Sequence, residues 1–225
     1  MEFKTIARWL FDLFFPQRCV NCDLVIPPTG FLCVSCASKL AYTHWKLDDK
    51  NFAFEKVNSL CRIQSAYSLL EFRHENLTQK LLHALKYNNQ PKIGGALAEK
   101  ALCEIDLKNY GGIIPVPVHP KKLKKRGYNQ VMSFAEKLAE NSKIPLYKDW
   151  LIRVENNPSQ VHKNREQRLN SIGNAFHFTK ENVSGNFILI DDVITTGATL
   201  STCIKTIQEK NPDVKISVVT MACAV

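Results

Sequence analysis

An apolar run that ends in two adjacent carboxylates, followed by a Thr/Gly loop and a helix-competent segment, constrains this chain more than any other feature. The stretch reads Ile188-Leu-Ile-Asp-Asp-Val-Ile-Thr-Thr-Gly-Ala-Thr-Leu200. Phe187–Ile190 has the β-branched, apolar character of a buried strand. Ala198–Glu209 carries Leu200, Ile204 and Ile207 at helical spacing. A strand–loop–helix unit directs free backbone N–H groups into its loop, and the helix dipole favours an anion there. Thr195, Thr196 and Thr199 add hydroxyl donors, and Gly197 lets the backbone approach closely. The loop is therefore built for a phosphate. Asp191 and Asp192 precede it, where they would accept hydrogen bonds from sugar hydroxyls. A phosphate beside a polyol is a phosphorylated ribose. Neither G-x-x-x-x-G-K-S/T nor G-x-G-x-x-G occurs in the chain.

This motif resembles the binding signature of the type I phosphoribosyltransferases. The resemblance implies that Asp191 and Asp192 hold the ribose hydroxyls of phosphoribosyl pyrophosphate. Thr195, Thr196, Gly197, Ala198 and Thr199 would hold its 5-phosphate.

The 225 residues accommodate one main domain plus a small module, and a hydrophobic content of 45% is enough for a sizeable core. A net charge of +9 points to polyanionic partners such as nucleotides, pyrophosphate or nucleic acid; a basic protein without such a partner is the alternative. Met1–Phe15 places Phe3, Ile6, Trp9, Leu10, Leu13 and Phe14 between Lys4, Arg8 and Asp12. It is too short and too charged to span a bilayer, and it reads as an amphipathic helix. Docking on its own protein is the simplest role for it; a membrane surface or a partner helix are the others.

Cys19-x-x-Cys22 and Cys33-x-x-Cys36 are separated by ten residues. Each pair turns back so that both sulfurs reach one tetrahedral ion, the pattern of a structural four-thiolate zinc site. Disulfides or a redox dithiol are the competing readings. Cysteines clustered for metal rather than spread for disulfides fit a reducing cytoplasm. Cys61, Cys103, Cys203 and Cys223 are isolated among apolar residues and are expected to be buried.

The organisation expected is an amphipathic helix at 1–15, a zinc ribbon at 16–40, a polar linker at 41–59 and an α/β domain at 60–225. Within that domain, extended character over Cys61–Phe72 precedes a leucine stripe at Leu77, Leu81, Leu82 and Leu85. Helices are expected over Ile93–Leu107 and Tyr128–Asn141, and strands over Gly112–Val118, Leu151–Val154, Phe187–Asp191 and Val214–Cys223. This βαβ order predicts a doubly wound parallel sheet with ligands at the carboxyl ends of its strands.

Pro115-Val-Pro-Val-His119-Pro120 lies at a strand end and leads into Lys121, Lys122, Lys124, Lys125 and Arg126. These cations are either a solvated helix face or a site for pyrophosphate or a nucleic-acid backbone. Tyr128 serves either that ligand or the core of the next helix. His119 and His162 read as polar surface residues before acid–base groups.

Further pieces make the resemblance specific. They are Phe14-Phe15-Pro16-Gln-Arg18-Cys-Val-Asn-Cys22, Leu85-Lys86-Tyr87, Pro115-Val-Pro117, Arg126-Gly-Tyr-Asn-Gln130 and Leu151-Ile-Arg153. Gln160, Arg165, Arg168, Asn170 and Ala175-Phe176 complete the set. In this order they resemble the ComF family of competence proteins over nearly the whole chain; the linker matches nothing.

That resemblance implies a zinc ribbon joined to a type I phosphoribosyltransferase fold, with structural Zn²⁺. It implies phosphoribosyl pyrophosphate binding with Mg²⁺, and handling of single-stranded DNA in natural transformation beside other DNA-processing proteins such as a competence helicase. The Pro115–Pro120 turn, with Pro117 and Val118, would form the pyrophosphate loop, within reach of Arg126. Gln160, Arg165 and Arg168 would belong to a hood that closes the site against water. No residues that read a particular acceptor are recognisable. Phosphoribosyl transfer, ligand binding without turnover in a DNA-uptake adaptor, and nucleotide salvage unrelated to DNA therefore all stay open.

Overall fold

The apolar runs of the second half assemble into one parallel sheet. The structure, a computed structural model, describes residues 16–154 and 175–225. In chain order its elements are α1 (Val34–Ala37), α2 (Phe52–Asn58), β1 (Ala66–Phe72), α3 (Leu77–Tyr87), α4 (Lys92–Ala101), β2 (Ile113–Pro115), α5 (Pro120–Arg126) and α6 (Met132–Ser142). They continue with β3 (Leu151–Arg153), β4 (Phe176–Phe178), β5 (Gly185–Ile194), α7 (Ala198–Lys210) and β6 (Val214–Ala224). Four strands pair in the order β1-β6-β5-β2, all parallel. β3 and β4 form a separate antiparallel pair.

Strand alternation explains why the β5 run is apolar throughout. Ile188 and Ile190 enter one core, while Phe187 and Leu189 enter the other. Helices α3, α4 and α6 cover the first face with Leu81, Leu85, Ile93, Leu97, Phe134 and Leu138. Helices α2 and α7 cover the second with Val57, Leu200, Ile204 and Ile207, beside Phe178 of β4. Each such side chain contributes roughly 1.5–3 kcal/mol on full burial. Two covered faces leave the strand edges at the carboxyl end as the place for polar chemistry. β2 pairs Pro115 with Ile190, so the Pro115–Pro120 turn and the Asp191–Thr199 loop leave the sheet side by side.

The segment 41–59, expected as a linker, carries α2 and lies against the sheet. Tyr42 and Asp48 bridge to Leu70 and Ala66 of β1. Asn51 accepts from the Phe54 N–H at 3.0 Å, and its Nδ2 donates to the Ala66 carbonyl at 2.7 Å. Polar residues that mimic a linker are here a helix cap and turn anchors. Helix α4 stops at Ala101, short of Leu107, although Ile105 and Leu107 stay buried in the turns beyond it. Helix α6 begins at Met132 rather than Tyr128, because Asn129 Oδ1 accepts from the Val131 N–H at 3.2 Å and holds a turn. Cys203 and Cys223 are buried as expected, Cys61 is half-buried, and Cys103 is exposed in the turn that ends α4.

Candidate functional site

Asp191 and Asp192 lie near the end of β5 and are only 8% and 5% exposed. The Asp192 N–H donates to Asp191 Oδ1 at 2.8 Å. Asp192 Oδ2 meets Lys86 Nζ of α3 at 2.8 Å and accepts from Gln130 Nε2 at 3.1 Å. Burial, with the Asp192 charge second, holds the Asp191 carboxyl well above the ordinary carboxylate range. The pair therefore presents one counter-charged carboxylate and one proton-retaining carboxyl.

The loop after it is braced from α2. Lys56 Nζ donates to the Thr195 carbonyl at 3.0 Å. Gly197 has φ +79°, and a Cβ there would stand 3.3 Å from the Lys56 carbonyl oxygen and 3.4 Å from Leu60 Cδ1. Glycine is required both by the left-handed backbone and by the closeness of α2. Thr195, Thr196, Ala198 and Thr199 are exposed. No side chain caps α7 at Gly197; Thr196 Oγ1 accepts from the Ala198 N–H at a long 3.4 Å. The remaining N–H groups of the first turn of this helix are the donors an anion takes up.

The Pro115–Pro120 turn faces this loop across the β2–β5 pairing, and the Val116 N–H still donates to the Ile190 carbonyl at 2.8 Å. Pro117 and Val118 are half-buried. His119 caps α5, its Nδ1 accepting from the Lys121 N–H at 3.2 Å. None of α5 is buried, and Lys121, Lys122, Lys124 and Lys125 are exposed. Arg126 is different. Its Nη1 donates to Gln130 Oε1 at 2.7 Å, its Nη2 to the Tyr87 hydroxyl at 3.3 Å, and its guanidinium lies 5.0 Å from the Tyr87 ring centroid. Tyr128 donates to the Leu85 carbonyl, and Asn129 Nδ2 donates to the Val116 carbonyl at 3.0 Å. Tyr128 thus anchors α3.

A chain of contacts from Tyr87 through Arg126 and Gln130 to Asp192 joins the basic helix to the acidic pair. Lys86 and Tyr87 carry no chemical signal in the sequence and appear there only within the ComF-like pieces, whereas Gln130 belongs to the Arg126–Gln130 run whose donors and amides suit a phosphorylated ligand. Their roles depend on where α3 ends, beside the carboxyl edge of the sheet. A cavity of about 540 Å³ lined by Gln64, Glu104, Tyr110, Asn186 and Ser217 opens elsewhere, near the start of β5 and β6. The cradle is defined by donors and charge rather than by that cavity.

The Sγ atoms of Cys19, Cys22, Cys33 and Cys36 lie within 4.8 Å of one another, with Cys22 and Cys33 at 3.6 Å. A Zn–S bond of about 2.3 Å in a tetrahedron gives sulfur–sulfur edges of about 3.8 Å, so the four thiols fit one such ion. Asn21 Nδ2 donates to Cys36 Sγ at 3.3 Å, and Lys80 Nζ donates to Asn21 Oδ1 at 2.9 Å. The second contact ties the cysteine cluster to α3. Gln160, His162, Arg165, Arg168 and the 1–15 segment lie outside the described residues. Among the described residues, no helix is long and apolar enough to cross a membrane.

Fold and site together define a doubly covered parallel α/β protein with a buried acidic pair and a glycine-braced loop at one strand end, and a four-cysteine cluster. No family model matches the chain. Two relatives with competence names nevertheless match it over most of its length. It is 26% identical over 214 residues to Competence protein ComFC of Bacillus subtilis, covering 88% of this chain and 86% of that one. It is 29% identical over 217 residues to Competence protein F of Haemophilus influenzae, covering 87% and 93%. DNA utilization protein YhgH of Salmonella typhimurium is 27% identical over 128 residues, 54% of this chain and 56% of its own. Among solved structures, Helicobacter pylori Xanthine-Guanine-Hypoxanthine Phosphoribosyltransferase aligns with 59% of this chain and 80% of its own at TM-score 0.33 and 14% identity. Leishmania donovani UMP synthase aligns with 78% and 32% at TM-score 0.34 and 13% identity.

Proposed function

We propose that this chain is a ComF-like protein of DNA uptake that binds phosphoribosyl pyrophosphate in the Asp191–Thr199 cradle and single-stranded DNA on adjoining basic surface. One observation carries the reading: the buried Asp191/Asp192 pair and the start of α7, whose N-cap Gly197 brings no side chain, sit at one strand end, braced by α2. Thr195, Thr196, Ala198 and Thr199 take the 5-phosphate with the helix N–H groups, and the two aspartates take the ribose hydroxyls. Pro117 and Val118 form the diphosphate turn, and Arg126 reaches it by releasing Tyr87. Mg²⁺ would neutralise the diphosphate. Asp192 already has Lys86 as its counter-charge, so the ligand's own oxygens would supply most of the cation's donors.

In a transfer reaction the Asp192 carboxylate would stabilise positive charge that develops on the sugar as pyrophosphate leaves C1, while Asp191 would hold a ribose hydroxyl by hydrogen bonding. Zn²⁺ held by Cys19, Cys22, Cys33 and Cys36 would stabilise the small amino-terminal module in the cytoplasm. Calorimetric titration with phosphoribosyl pyrophosphate and Mg²⁺, competed by ribose 5-phosphate, tests the binding site. Saturable binding that ribose 5-phosphate displaces supports it; no heat at millimolar ligand overturns it. Pyrophosphate release with candidate bases then separates a transferase from a binding protein.

A further inference from the structure

Helix α3 buries Leu81, Leu82 and Leu85, which leaves its opposite face to solvent. Lys80, His83 and Tyr87 follow one another on that face at spacings of three and four, so they form a single stripe. All three are exposed, Tyr87 by 53% despite its size. The His83 and Tyr87 rings are 4.8 Å apart and tilted by 41°. The Arg126 guanidinium lies over Tyr87, so imidazole, phenol and guanidinium form one ladder. At the far end Lys80 reaches Asn21, inside the first Cys-x-x-Cys turn. A cleft of about 340 Å³ lined by Val20, Gln79, Lys80, His83 and Asn88 opens beside the stripe, between that turn and α3. At the near end the ladder meets α5 with its exposed lysines, and through Gln130 it meets Asp192.

Exposed aromatic rings cost solvation unless something covers them. Here the surrounding charge selects the cover: Lys80, Arg126 and the α5 lysines favour a polyanion. A polyanion with flat apolar faces is a single-stranded nucleic acid, whose bases stack on aromatic rings while its phosphates meet cations. A duplex hides those faces. We infer that the Lys80–His83–Tyr87–Arg126 stripe is a base-stacking track that carries a single strand from the cysteine cluster to the edge of the phosphate cradle. This rests on the nucleic-acid part of the reading above and adds the residues that recognise bases, which the α5 lysines cannot do. Lys80 and Tyr87 are seven residues apart. At about 1.5 Å per residue the stripe is about 10 Å long.

The test uses the full chain with zinc present and a labelled 20-nucleotide oligothymidylate, read by anisotropy across a salt series. A second oligonucleotide replaces its central bases by abasic spacers, and a third carries 2-aminopurine. The parent protein binds the base-containing strand more tightly than the spacer strand and quenches 2-aminopurine. Tyr87→Ala weakens binding about tenfold, abolishes the preference for bases and leaves the salt slope unchanged, because no phosphate contact is lost. His83→Ala acts in the same direction, and Tyr87→Phe keeps the preference because the ring remains. Lys121→Gln with Lys122→Gln instead lowers the salt slope. Unaltered melting and zinc content of the two alanine variants establish that they fold. If both bind and quench as the parent does while the lysine variant weakens, the track is wrong and the nucleic-acid reading stands. If the parent binds no strand at low salt, both are wrong.

Discussion

Gly197 and Gly127 form a controlled pair. Their φ angles are +79° and +80°, so an alanine at either position meets the same left-handed backbone strain. That strain is about 1–2 kcal/mol, partly offset by about 0.5–1 kcal/mol of entropy lost from the unfolded chain. Gly127→Ala therefore costs about 1 kcal/mol, because nothing stands within 4 Å of its Cβ position. Gly197→Ala adds a crowded contact: its Cβ would lie 3.3 Å from the Lys56 carbonyl oxygen and 3.6 Å from Val57 Cα, both backbone atoms of α2. Helix α2 yields little, being capped by Asn51 and packed through Ala53 and Val57. Overpacking of this kind costs about 1–3 kcal/mol, giving a total of about 2–4 kcal/mol. For a chain of this size each kcal/mol moves the melting temperature by about 2–4 °C. Calorimetric melting with zinc present should thus place Gly197→Ala several degrees below Gly127→Ala. The same displacement of Thr195–Thr199 should weaken phosphoribosyl pyrophosphate binding at least tenfold. Equal melting shifts for the two variants would refute the claim that α2 braces the cradle.

Three other outcomes follow from the same geometry. Lys86→Met leaves the Asp192 carboxylate buried with Gln130 as its remaining side-chain partner and should cost about 2 kcal/mol in urea denaturation, most of it regained in Lys86→Met with Asp192→Asn; a Lys86→Met protein as stable as the parent would contradict the ion pair. Asp191 has its folded-state pKa raised, chiefly by burial. Its contribution to stability is therefore present at acid pH and is lost as pH rises above the ordinary carboxylate range. Asp191→Asn should flatten that fall and exceed the parent in stability at alkaline pH, and denaturation curves across pH decide it. Freshly purified protein should carry one zinc per chain by elemental analysis, and Cys22→Ser should lower that content; a metal-free parent would remove the four-cysteine centre.

The strand–loop–helix unit was legible because each of its parts has a local signature: a buried strand leaves an apolar run, and a glycine among threonines marks the left-handed turn into α7. The cysteine cluster was legible for the same reason, since its spacing already contains its geometry. What stayed hidden depends on tertiary placement. Lys86 sits at the end of a leucine stripe and looks like any solvated lysine until α3 sets it against Asp192. Asn51 and Asp48 look like linker residues until their side chains are seen to hold α2 and β1 together. His119 reads in sequence as a polar surface residue, and its role as the cap of α5 depends on the turn that precedes that helix. Helix ends also escaped, because Asn129 competes locally for the backbone where periodicity alone continues the helix.

The central claim is that the two aspartates and the loop after them hold phosphoribosyl pyrophosphate. Calorimetric titration of the parent and of the Asp191→Asn, Asp192→Asn double variant with this ligand and Mg²⁺ tests it most directly. The parent chain should bind at one site, and a double variant that still melts cooperatively should lose at least a hundredfold in affinity. An unchanged affinity in that folded variant would contradict it.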